Sequence, residues 1–192
     1  DVCSSDLPGI DTALFKGTRS QFHLTTTATN TWSVQDSRGL EGVDLLDDLE
    51  RLQFADKKIA LDLSPGDHGG QSLEFLGVLA PAAINNPEIV GLILGLFDQG
   101  SSLHDVFQLA IDVHLVSQLA GSGSNTDLAR LAFRNIVGAE ADATTLDILV
   151  SFMDGRSASY SQSDFLTVVA GMEVNQTHIG LIGWQQTGIE YT

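Results

Sequence analysis

The residues of this chain best suited to chemistry are oxygen donors around one glycine-spaced turn, Gly39-Leu40-Glu41-Gly42-Val43-Asp44. Glycines at 39 and 42 admit the positive φ that a tight, carbonyl-exposing turn needs, whereas Leu40 hinders it. The carboxylates of Asp36, Glu41 and Asp44 stand in or beside the turn. A hard cation such as Ca²⁺ takes about six to eight oxygens, so one such turn supplies half a cage. Asp11, in the earlier Gly9-Ile10-Asp11, is expected to join from a second turn. The candidate metal ligands are therefore Asp44, Glu41, Asp36 and Asp11, with weakly held calcium as the expected cofactor.

Other chemistry is harder to assemble. The chain contains no phosphate loop, dinucleotide fingerprint, HExxH or GxSxG pattern. Its five histidines, at 23, 68, 104, 114 and 178, never pair at i, i+4. Asp47-Asp48 with Glu50 reads as a solvated acidic bend, with a metal cluster as the alternative, and the serine-rich turns have no base at a telling spacing. No catalytic constellation is predicted. The single cysteine, Cys3, permits no intrachain disulfide. A formal net charge of −16 on 192 residues excludes the cationic surface that phosphate binding requires, so nucleic acid is not an expected partner. No apolar run is long enough to span a bilayer, and no signal peptide is visible. Both absences fit export from an uncleaved C-terminal signal.

The elements that must position these residues change character near Gly66. Before it the apolar period is two: Phe22 and Leu24, Trp32 and Val34, Leu52 and Phe54, then Ile59, Leu61 and Leu63. This predicts a small antiparallel sheet with one buried face. After the loop Ser64-Pro65-Gly66-Asp67-His68-Gly69-Gly70 the period is helical. Asn86 before Pro87 marks one helix start, Ser102 and Ser161 stand three residues before Asp105 and Asp164, and Asp142 caps another start. Helices are expected from Ser72, from Pro87 to about Asp98, from Ser102 through Leu115, from Asn125 to Gly138, over Thr144 to Met153, after Ser161, and from Thr177 to about Ile189. Leu96-Phe97-Asp98, a glycine, a serine-rich turn and Asp105-Val106-Phe107 recur as Phe152-Met153-Asp154, Gly155, a serine-rich turn and Asp164-Phe165-Leu166. Neither copy can bury its face alone, so the two should pack on each other.

The 39–46 turn resembles one copy of the nonapeptide of RTX (repeats-in-toxin, hemolysin-type) calcium-binding proteins. Gly42-x-Asp44-x-Leu46 followed by Leu49-Glu50-Arg51-Leu52-Gln53-Phe54-Ala55-Asp56 is similar to the β module that closes such arrays. Leu40 in place of a glycine, and Lys57 where a turn glycine is usual, depart from that pattern. The second half resembles a helical domain of unknown function (family four-two-one-four), through LAFRNIVG at 131–138, Ala141-Asp142, Asp154-Gly155 and TGIEY at 187–191. The Tyr-Trp pair usual in that family is absent, with Leu94-Gly95 and Ile148-Leu149 nearby. Residues 1–7 resemble one reading frame of a sequencing adapter, which implies an artefact of assembled environmental (metagenomic) DNA.

The expected fold class is α+β: a β module ending a β-roll-like array, then an all-helical bundle of two helix-turn-helix repeats. The expected division is a disordered or artefactual tail over 1–10, the β module over 11–64 and the helical domain over 65–192. The resemblance implies a non-enzymatic C-terminal module of a protein exported by type I secretion. It would act outside the cell or at its surface in interaction, anchoring or export, with an extracellular or cell-surface component as partner. The alternative is the accessory tail of a secreted hydrolase or protease. The sequence leaves oligomeric state open.

Overall fold

The computed structural model describes residues 9–28, 30–39, 42–154 and 160–192, and the backbone alone of 2–4. It is an α+β protein, as the change of hydrophobic period predicts. Phe22–Ala28 (β3) and Thr31–Asp36 (β4) form the expected hairpin, with Leu24 opposite Val34. Val43–Asp47 (β5) pairs antiparallel with β4, and Val2–Ser4 (β1) lies parallel to β5, giving the sheet order β1-β5-β4-β3. A second sheet has Thr12–Leu14 (β2) parallel to Arg51–Gln53 (β6), followed by antiparallel Lys58–Ala60 (β7) and Ile189–Tyr191 (β8).

The module is therefore two sheets, where one is expected, and its β1–β5 and β2–β6 pairs are parallel. Their facing sides enclose Phe22, Trp32, Val34, Leu46, Leu52, Phe54, Ile59 and Leu61. Phe15 joins Phe22 and Phe54 with ring centroids 5.1 Å away from each. Alternation along β6 and β7 sends Leu52 and Ile59 into this layer and Arg51 and Ala60 to the other side, against the helices. The middle of the second sheet, at Arg51, Leu52, Ile59 and Ala60, is thus buried on both faces, while Leu14 and Gln53 toward its edge stay exposed; a one-face pattern does not foresee this.

The helices follow their caps. His68–Leu79 (α1) leads to Pro87–Asp98 (α2), whose Asn86 side chain accepts from the Glu88 and Ile89 amides. Leu103–Asp112 (α3) and Gln162–Ala170 (α7) each begin with a capping box, Ser102 with Asp105 and Ser161 with Asp164. Asn125–Val137 (α5) ends at Gly138, in the left-handed region at φ 76°. Ala143–Ser151 (α6) starts from the Asp142 cap. The two repeats pack on each other as expected: α3 lies on α7 and α1 on α5. Their shared core holds Leu73, Phe75, Phe97, Phe107, Leu128 and Leu166.

Three expectations need correction. Residues 1–7 are expected to pack against nothing, yet the backbone of Val2–Ser4 is hydrogen-bonded to the edge of β5. Residues 1 and 5–8, and the Cys3 side chain, lie outside the described residues. The helix from Ser102 breaks at His114, whose φ of 63° starts the separate helix Leu115–Ala120 (α4). The final segment is not one helix: Glu173–His178 (α8) and Leu181–Thr187 (α9) give way at Gly188, φ 72°, to β8. Ile189 buries against the helical core while β8 completes the second sheet, so the chain's end ties both halves together. The Gly155 stop lies outside the described residues.

Candidate functional site

The glycine turn is formed as its residue types require. Gly39 and Gly42 take φ of 72° and 82°, and the Asp36 N–H donates to the Gly42 carbonyl at 3.0 Å. Asp36 ends β4 almost fully buried. Its Oδ1 accepts from the Arg38 backbone N–H at 2.9 Å and from Arg38 Nε at 3.0 Å. Asp44 sits opposite Val34, inside β5 rather than in the turn, half-buried. Asp36, two residues beyond Val34, is its diagonal neighbour on the same sheet face, at a backbone separation of roughly 7–8 Å.

Asp11 is elsewhere. Its N–H donates to Glu50 Oε2 at 2.8 Å and its carbonyl accepts the Arg51 N–H at 3.0 Å, which places it at the turn closing β5 rather than opening it. That is roughly 10 Å along the strand from Asp44. The structure thus brings Asp36 and Asp44 together, sets Asp11 apart, and leaves Glu41 and Leu40 outside the described residues. Among the described residues no three acidic, histidine or cysteine side chains converge on one point. The donors fit a calcium cage in part only, with Asp36 already engaged by Arg38.

The most concentrated electrostatics lie at the joint between sheets and helices, which the sequence reading does not single out. Arg51, buried on the helix-facing side of β6, ion-pairs with Asp62 through Nη1 and with Asp98 of α2 through Nη2 at 2.8 Å. His68 Nδ1 lies 2.9 Å from the same Asp98 oxygen, and the Tyr191 ring centroid is 5.8 Å from the guanidinium. Asp62 also accepts the Gly69 N–H at 3.2 Å, capping the first turn of α1. Burial pushes the Asp62 carboxyl up to about 6, against the opposing pull of Arg51. A signal was available: Arg51 is the last arginine before Arg130, in a chain rich in acids. Beside this joint a cleft of about 270 Å³ is walled by Asp48, Glu50, Asp67 and His68 over Trp32.

One triad of chemically capable types does meet. Ser163 Oγ lies 3.0 Å from His104 Nε2, and Asp164 Oδ1 lies 3.4 Å from the same nitrogen. A general base needs its carboxylate on the other ring nitrogen. Ser163 is also buried and bonded to Gln108 Oε1 at 2.9 Å, which closes it to a substrate. The three residues join α3 to α7. No described helix is long and apolar enough to cross a membrane. No family model, curated protein or solved structure matches the chain.

Proposed function

We propose that this chain is a non-enzymatic module that terminates a parallel, calcium-binding β stack of RTX type. In this reading it works outside the cell or at its surface, and its helical pair makes the contact for interaction, anchoring or export. The carrying observation is the parallel pairing of successive rungs. β2 lies parallel to β6 as successive rungs of such a stack do, and the backbone of Val2–Ser4 repeats that relation against β5. On the far side the stack is closed: α9 packs on β3, and α2 packs on β8. Covering one end of a repetitive stack while leaving its growing edge regular is what a terminal cap must do. In the same reading Asp44 and Asp36 contribute oxygens to a cation shared with a preceding turn, and calcium bound there would neutralise the paired carboxylates.

A calcium titration by thermal melt at fixed ionic strength tests this. A partial cage predicts dissociation on the order of millimolar, as in extracellular modules, and a rise in melting temperature of about a degree or two in millimolar calcium. Asp44→Ala abolishes the rise, and Asp112→Ala on α3 leaves it. No rise, or an equal one with magnesium, overturns the calcium part of the reading.

A further inference from the structure

Where β8 leaves the helices, a pocket of about 470 Å³ opens between the sheets and the helical half. That size falls within the roughly 300–1,000 Å³ of small-molecule sites. Its apolar lining is Ile84, Pro87, Trp184 and Ile189. The Trp184 Nε1–H donates to the Ile179 carbonyl at 3.1 Å, which fixes the indole in place. Two charged residues complete the lining: Arg19, from the 3₁₀ turn Arg19–Gln21 that precedes β3, and Glu190 of β8.

These opposite charges share the pocket without pairing. Arg19 Nη1 donates to the Phe22 carbonyl at 2.7 Å, and the guanidinium carbon lies 5.6 Å from the Phe54 ring centroid. The group is pinned by these contacts, and its Nε and Nη2, the two parallel donors that fit a carboxylate, have no acceptor among the described residues. Burial pulls the guanidinium's pKa down, and Glu190 and Asp56 oppose that pull from nearby. Asp56 is engaged by the Arg19 backbone, whose N–H it accepts at 2.7 Å. Glu190 takes Lys57 Nζ on Oε1 at 2.6 Å, and its Oε2 has no partner among the described residues. A simple carboxylate in this pocket would meet Glu190, and a simple amine would meet Arg19. A purely apolar molecule would strip water from both charges and replace it with nothing. A molecule that carries both charges at one end and an apolar body at the other satisfies the whole lining.

We propose that this pocket binds a free α-amino acid with a large apolar side chain, its carboxylate on the Nε–Nη2 edge of Arg19, its ammonium on Glu190 and its side chain against Ile84, Ile189 and Trp184. The two-pronged guanidinium contact sets the orientation, and the pair of opposite charges rejects plain acids and plain amines. The inference is independent of calcium and of the β stack, and the failure of either leaves it untouched.

The test titrates the full chain with L-phenylalanine, read by calorimetry and by tryptophan emission. The chain has two tryptophans, and Trp32 is buried in the sheet core, so a change in emission reports Trp184. The expected result is one L-phenylalanine per chain, bound about ten-fold more tightly than hydrocinnamate, which lacks the ammonium, or phenethylamine, which lacks the carboxylate. Glu190→Gln brings L-phenylalanine down to the affinity of hydrocinnamate. Its ion pair with Lys57 is exposed, so the melt of this variant matches the parent. Arg19→Met brings L-phenylalanine down to the affinity of phenethylamine, and where its lost bond to Phe22 lowers the melt, Glu190→Gln decides alone. Trp184→Phe removes the emission change. The proposal is overturned by no saturable binding, by equal binding of the three compounds, by an affinity unmoved in Glu190→Gln, or by an emission change that survives Trp184→Phe.

Discussion

Asp62 is the residue whose titration reports most directly on how the sheets and helices are joined. Its carboxyl is held at about 6, against an unfolded value of 3.8, because burial beside Arg51 penalises the charge more than the guanidinium rewards it. A raised carboxyl favours the folded state when protonated. The stabilisation is complete below 3.8 and is lost as pH rises through about 6. Between about pH 7 and pH 5 the folded protein should therefore gain about 1.3 kcal/mol from this group, roughly 3–5 °C for a chain of this size. Asp62→Asn removes the titration. The assay is the melting temperature of parent and variant at several pH values, taken as a difference so that the other acids cancel. The capping carboxylates Asp105, Asp127, Asp142 and Asp164 are all shifted downward by their serine, threonine and amide partners, so their losses fall below the window. The difference should shift in favour of the parent on acidification. A difference that is flat between pH 7 and pH 5, or that shifts toward the variant, refutes the reasoning.

Two further outcomes follow from the same joint. Arg51→Met strands Asp62 and Asp98 without their buried cation and should cost about 3–5 kcal/mol, with part recovered in Arg51→Met/Asp62→Asn; an unchanged denaturation midpoint would contradict this. Gly91 meets the Thr192 backbone, whose N–H donates to the Pro87 carbonyl at 3.2 Å, so Gly91→Ala should displace the C-terminal strand at a cost of about 1–3 kcal/mol. Carboxypeptidase should trim the variant faster than the parent, and equal rates would refute the contact.

The sequence announces most of this fold through local chemistry. The Asn86, Asp142, Ser102 and Ser161 caps each start a helix because their side chains satisfy amides that have no other partner. The hairpin follows from the alternation of Phe22, Leu24, Trp32 and Val34. What stayed hidden is non-local. Short edge strands such as Thr12–Leu14 and Ile189–Tyr191 carry too few residues for a period, and their pairing is decided by partners far along the chain. Arg51 looks like a surface arginine until β6 acquires helices on its second face. The glycine turn was legible as a turn, but its carboxylates were not: Asp44 entered a strand, Asp36 turned to Arg38, and Asp11 went to the opposite end of β5.

The central claim is that β2, laid parallel on β6, continues a parallel stack which the rest of the chain closes. The most direct measurement fuses several designed nonapeptide repeats ahead of residue 9 and follows calcium-dependent β structure by circular dichroism. The fusion is compared with the free repeats and with the same fusion carrying Arg51→Met, which loosens the cap. The account predicts that the intact fusion folds in calcium at concentrations where the free repeats do not, and that Arg51→Met raises the calcium required. Repeats that respond identically with and without this chain behind them would contradict it.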